Sequence, residues 1–115
     1  MGIKKVINPV KNLETIKNKI SIINADIRDY KKIVNHFKKI DNVFHLAALA
    51  DIVPSIEKPN DYFSTNVSGT FNVLQASIEN KIKRFIYSAS SSCYGVPKHY
   101  PTSETSEAAK LMVLE

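Results

Sequence analysis

The chain has 115 residues, of which 43% are hydrophobic and 23% charged, the composition of one small folded domain rather than a disordered or fibrous chain. Its net charge of +5 is uneven: residues 1–40 carry ten Lys and Arg against Glu14, Asp26 and Asp29, and the remainder carries six against eight acids. Those lysines are scattered without interleaved aromatic residues, no apolar run approaches the roughly 20 residues that span a bilayer, and the start lacks the apolar core of a signal peptide. The expectation is therefore a cytoplasmic protein with no nucleic-acid and no membrane partner.

In chain order, residues 1–19 are polar and Lys/Asn-rich, and Pro9 blocks a long helix through them, so they read as loop with a short helix. Ile20–Ala25 is rich in β-branched residues and bounded by Asp26, which predicts a short buried strand. Asp29 is placed to cap a helix over Tyr30–Lys39, in which Ile33, Phe37 and Ile40 recur at helical spacing with lysines opposite. The almost unbroken apolar run Val43–Ala48 predicts a strand buried on both faces of a parallel sheet. His45, inside that run, is weighed as a packed core residue against a ligand or general base, and the packed reading is preferred.

Leu49–Lys58 reads as a loop. Pro59 and Asn60 then give the start signal of a long helix reaching about Asn80, with Phe63, Val67, Phe71, Leu74 and Ile78 forming one apolar face. Gly69 costs such a helix about 1 kcal/mol relative to alanine, which points to a close backbone approach. Phe85–Ser88 is the next strand. It empties into Ala89-Ser90-Ser91-Ser92-Cys93-Tyr94-Gly95, a run that is an ordinary turn composition or, beyond the carboxyl end of a parallel strand, a place where hydroxyls meet a ligand. Cys93 is the sole cysteine, so no internal disulfide is possible, and a small buried filler is a better reading than a nucleophile served by His45 or His99. Strands alternating with helices over short connections predict an α/β fold, a partial Rossmann-like doubly wound parallel sheet.

Four motifs in order, Ala25-Asp26-Ile27-Arg28-Asp29, His45-Leu46-Ala47-Ala48, Asn66-Val67-Ser68-Gly69-Thr70-Phe71-Asn72 and Ser88-Ala89-Ser90-Ser91-Ser92-Cys93-Tyr94-Gly95, resemble the extended short-chain dehydrogenases/reductases. Within that family the match is to the NAD-dependent nucleotide-sugar epimerases, and it covers residues 20–107. The resemblance implies that Asp26 and Ile27 meet the adenine ring of NAD, the carboxylate accepting from the amine and the apolar side chain covering the face. It further implies that Leu46, Ala47 and Ala48 pass along the cofactor's pyrophosphate and ribose, that Thr65 reaches the cofactor from the long helix, and that Ser88 lies on the cofactor side. Core packing is the alternative for Leu46, Ala47, Ala48 and Thr65, and a helix cap is the alternative for Asp26.

Ser90 matches the family's catalytic Ser/Thr, which hydrogen-bonds the sugar hydroxyl being oxidised, and Ser91 is implied to contact the sugar. Related 4,6-dehydratases follow that residue with Asp and Glu, the acid and base of an elimination. Here Ser91 and Ser92 stand instead, which disfavours dehydration and favours reversible oxidation at C4 of a nucleotide sugar. No metal is implied. Ala50-Asp51 departs from the small pair that relatives often place in the loop facing the sugar.

The family's Gly-rich turn is absent, since Gly2, Gly69 and Gly95 lie far apart. So is the helical Tyr-x-x-x-Lys expected after Glu107. The literal match Tyr94-Gly95-Val96-Pro97-Lys98 is rejected because Gly95 and Pro97 oppose the helix that its spacing requires. Residues 1–115 are therefore expected to form part of an NAD-binding domain, lacking the first βα unit and the substrate domain and inactive alone. A homodimer through the 59–80 helix is the expected assembly, and a non-enzymatic module acting through that helix is the alternative.

Overall fold

The computed structural model describes residues 13–96 and 100–103. Among them a parallel pair of strands, β1 (Asn42–His45) and β2 (Arg84–Tyr87), runs in the register Asn42 with Arg84 through His45 with Tyr87. A parallel pair needs a crossover, because both strands must be entered from the same end. The crossover here is helical: α2 (Ile52–Glu57), then α3 (Pro59–Phe63), a π-helical stretch Ser64–Gly69, and α4 (Thr70–Glu79). Before β1, α1 (Tyr30–Ile33) runs into a 3-10 turn over Val34–Phe37, and an earlier 3-10 turn spans Glu14–Lys19.

Local chemistry explains the starts. Asp29 caps α1 by accepting from the Lys32 amide at 3.3 Å, and Pro59 opens α3 where no amide hydrogen is needed. The core is small. Ile33, Val73 and Ala76 are its buried apolar residues, joined by the polar His45, Thr65 and Ser77. α1 packs on α4, and the Tyr30 hydroxyl donates to the Glu79 carboxylate across that contact. Ser77 is satisfied within its own helix, donating to the Val73 carbonyl at 2.7 Å.

The predicted parallel α/β topology stands, with several corrections. Ile20–Ala25 is extended but joins no ladder, and Ile20, Ile22 and Ile23 are exposed. A ladder needs a neighbouring strand, and β1 pairs only with β2. No further strand that could serve as a neighbour of Ile20–Ala25 occurs among the described residues. β1 ends at His45 rather than Ala48, and it is covered on one face only: Phe44 is 68% exposed, whereas His45 is 4% exposed. The helical run after Asp29 stops at Phe37, with Lys39 at φ 62°, and Ile40 therefore leaves the Ile33 face and is exposed.

The stretch expected to be a loop contains α2. The long helix is present, but the face it turns inward is Thr65, Gly69, Val73, Ala76 and Ser77. The apolar stripe Phe63, Val67, Phe71, Leu74 and Ile78 points outward, with Phe71 63% exposed. Residues 1–12, which include Pro9, and residues 104–115, which include Glu107, lie outside the described residues.

Candidate functional site

Because β1 and β2 are parallel, both release their chains at the same edge. Leu46–Ala48 and Ser88–Ser92 therefore leave side by side, and the Ser88 amide donates to the His45 carbonyl at 3.3 Å to hold them there. Leu46, Ala47 and Ala48 are exposed, as are Ser88, Ser90 and Ser91. Thr65 is buried on the inner side of the helix.

Ser90 caps the 3-10 turn Ser91–Tyr94: its Oγ accepts from the Ser92 amide at 3.2 Å and donates to the Ser92 Oγ at 3.0 Å. Its proton can be redirected to an incoming oxygen without breaking the turn, because the amide contact uses an oxygen lone pair and not the hydroxyl hydrogen. Gly95 sits at φ 63°, ψ −142°, which no helix accommodates, so no helix continues from Tyr94 through Gly95. Lys98 itself lies outside the described residues. Cys93 is exposed, in place of the buried filler that the sequence suggested.

The Asp26-Ile27-Arg28 turn is built from its own side chains. The Asp26 carboxylate takes the Arg28 amide at 2.9 Å, Nε at 3.1 and 3.0 Å, and Nη2 at 2.7 Å. These hydrogen bonds from Arg28 hold the Asp26 carboxyl below the usual carboxylate range, against a smaller opposing effect of burial. Asp26 is thus an ion-pair partner rather than the helix cap, and Asp29 takes the cap. The Ile27 side chain lies over Gly69: a Cβ built there would come within 2.7 Å of Ile27 Cγ1 and Cδ1.

His45 is held by three neighbours. Its Nε2 is 2.8 Å from Thr70 Oγ1, its ring stacks on Tyr87 at 5.6 Å, and Phe85 lies 6.0 Å away. Burial pushes its pKa down from the ordinary value. This is a packed histidine, as preferred from the sequence.

Sequence reasoning gave no role to Asn66, Asn72 or Arg28. Asn66 pairs with Leu49, its Oδ1 accepting from the amide at 2.8 Å and its Nδ2 donating to the carbonyl at 2.9 Å. Asn72 Nδ2 donates to the carbonyls of Ile27 and Arg28, each at 3.0 Å. Polar amides on the inward face of an otherwise amphipathic helix were the available signal. Among the described residues no cluster of His, Cys, Asp and Glu could hold a metal ion, and no helix is long and apolar enough to cross a membrane.

Comparison with known proteins agrees with this geometry. The sequence model of the GDP-mannose 4,6 dehydratase family matches residues 3–110. The chain belongs to that family, a branch of the extended short-chain dehydrogenases/reductases. A family relative, UDP-glucose 4-epimerase of Drosophila melanogaster, is 36% identical over 93 residues, 79% of this chain and 27% of its own length. A solved UDP-glucose 4-epimerase from Bifidobacterium longum, in complex with NAD+ and UDP, superimposes with a TM-score of 0.74 at 30% identity, covering 88% of this chain and 32% of that one.

The dTDP-glucose 4,6-dehydratase DesIV of Streptomyces venezuelae superimposes with a TM-score of 0.72 at 24% identity, over 87% of this chain and 32% of that chain, and shares the fold. The chain spans about a quarter of the length of the curated family members it matches. Membership establishes a partial Rossmann-like α/β fold and an epimerase- and dehydratase-type ancestry, with NAD as a cofactor found in solved relatives.

Proposed function

We propose that this chain forms the central part of the NAD-binding domain of a nucleotide-sugar 4-epimerase, the segment that carries the adenosine-facing turn and the serine of the oxidation site. The observation that carries this reading is the shared edge of β1 and β2, where Leu46–Ala48 and Ser88–Ser92 emerge together. In open α/β sheets ligands bind at that edge. The residues there suit a dinucleotide: Ala47 and Ala48 keep the backbone accessible and Ser88 offers a hydroxyl, whereas the expected cofactor residue Thr65 is buried against the sheet side of the helix. Asp26 offers a carboxylate and Ile27 an apolar surface. The fit carries one condition: three Arg28 hydrogens, on the amide, Nε and Nη2, already meet the Asp26 carboxylate, so an adenine amine takes its remaining acceptor position or displaces one of those contacts.

Bound NAD supplies reversible hydride acceptance at sugar C4. Ser90, by turning its proton from Ser92 to the sugar oxygen, would orient that hydroxyl, and Ser91 would contact the sugar. Ser91 and Ser92 supply hydroxyls where a dehydratase needs carboxyls, which favours epimerisation over loss of water. The sequence lacks a Gly-rich pyrophosphate turn and a helical Tyr-x-x-x-Lys, so the 115-residue chain is expected to be inactive by itself. The reading includes a cytoplasmic location and a homodimer through the 59–80 helix. Measurable epimerisation of UDP-glucose by the purified chain would refute the inactivity.

A second reading, a non-enzymatic module that works by self-association, is favoured by the outward stripe Phe63, Val67, Phe71, Leu74 and Ile78. Calorimetric titration with NAD separates the two. Heat of binding supports the cofactor-domain reading, whereas its absence from a chain that self-associates stably supports the module.

A further inference from the structure

We propose that Asn66 and Asn72 are positioning residues for dinucleotide binding, each fixing one ligand-facing loop to the same helix; this rests on the cofactor reading above. The Asn66 carboxamide meets both polar groups of the Leu49 backbone, the pattern one residue of a β-strand offers another. Its orientation is fixed by its partners, since an amide needs an acceptor and a carbonyl needs a donor, and turning the group over would spoil both. The loop held in this way leads out of β1 through Leu46–Ala48, whose exposed side chains bury little that would hold it otherwise. Asn72 spends its Nδ2 on Ile27 and Arg28, the turn that carries the Asp26 carboxylate.

The spacing suits the task. Gly69, against which Ile27 packs, is the midpoint: Asn66 lies three residues before it, in the π-helical stretch, and Asn72 three after, in α4. One rigid helix therefore sets the separation of the two loops between which a dinucleotide would lie. A carboxamide is required at both positions, because an aspartate would turn oxygen toward a carbonyl.

The test uses the 115-residue chain, ADP-ribose as probe, and amide exchange followed by NMR. In the wild type the Leu49 amide should be protected. Asn66→Ala should accelerate its exchange about tenfold, the scale of one to two lost hydrogen bonds, and Asn72→Ala should leave it unchanged while moving the carbonyl shifts of Ile27 and Arg28. Each variant should weaken ADP-ribose about tenfold on the same scale. Asn80→Ala is the structural control: its amide holds Val34 and Ala76, and its loss should lower the melting temperature without changing affinity. If Asn66→Ala unfolds, Asn66→Asp keeps the shape and the acceptor while replacing the donor with a charged oxygen that faces the Leu49 carbonyl. Wild-type affinity in both variants, or an unprotected Leu49 amide in the wild type, overturns the proposal. A protected Leu49 in a wild-type chain that ignores ADP-ribose instead overturns the cofactor reading on which the proposal rests.

Discussion

His45 and Tyr87 are opposite one another in the parallel register, and their rings stack with centroids 5.6 Å apart and planes 21° from parallel. The pair ties the last residues of β1 and β2 together immediately before the chain releases Leu46–Ala48 and Ser88–Ser92. Burial lowers the His45 pKa from its ordinary 6.5, so the unfolded chain binds a proton more readily than the folded one. Stability should therefore be level above about pH 7, fall as pH drops through 6.5, and stop falling below the folded-state pKa. Urea unfolding at a series of pH values measures this. His45→Gln, which can still meet Thr70 but does not titrate, should remove that part of the slope, and an unchanged slope would show that His45 is not its source.

How much of this arrangement the sequence revealed depended on whether the governing interaction was local. Asp29 as a cap, Pro59 as a helix start and the two strands around the crossover follow from neighbours in the chain, and each is found. Gly69 as a close approach was legible because glycine is costly in a helix, although its partner, Ile27, lies 42 residues earlier. Ile20–Ala25 failed because β-branched composition describes a residue's suitability for a sheet, while a ladder needs a neighbour. The long helix carries two faces at helical spacing, and periodicity alone does not say which of them meets the sheet. The smaller, more polar face does so here, because Asn66, Thr70 and Asn72 find partners there that the apolar stripe could not satisfy.

Gly69→Ala offers a direct test of that inward face. The added methyl would sit 2.7 Å from two carbons of Ile27, closer than atoms can approach, so Ile27 must shift. Overpacking of this kind costs about 1–3 kcal/mol, more than the roughly 1 kcal/mol that alanine returns in helix propensity. Net destabilisation is expected in denaturant unfolding. With Ile27→Ala as background the obstruction is gone, and the same substitution should become neutral or stabilising. A cost that persists in the double variant would locate the strain elsewhere.

Arg28 controls the charge state of the Asp26-Ile27-Arg28 turn. Its hydrogen bonds lower the Asp26 pKa, so the pair's contribution to stability is present above the unfolded value of 3.8 and is lost as pH falls through the folded value. Arg28→Gln should bring the Asp26 carboxyl back up toward 3.8 in an NMR titration. Arg28→Lys should restore the charge without the bidentate geometry and give an intermediate value. An Asp26 titration indifferent to both changes would mean that the pair does not form in solution.

The outward stripe of the long helix carries the last prediction. Phe63, Val67, Phe71, Leu74 and Ile78 recur at steps of four, four, three and four and are all exposed, while the inward face of the same helix is already packed. A row of large apolar groups at helical spacing is the surface on which a second helix packs by interlocking ridges and grooves. If two copies associate there, the chain should sediment as a dimer. Phe71→Glu, placed near the middle of the stripe, should make it a monomer, because pairing would bring like charges together in a dry contact. Both Phe71 and its neighbour Val67 are exposed, so the variant should keep its circular dichroism and melting temperature in the monomeric state. Association that survives Phe71→Glu would move the interface to another surface, and loss of fold in the variant would show that Phe71 is packed within the single chain.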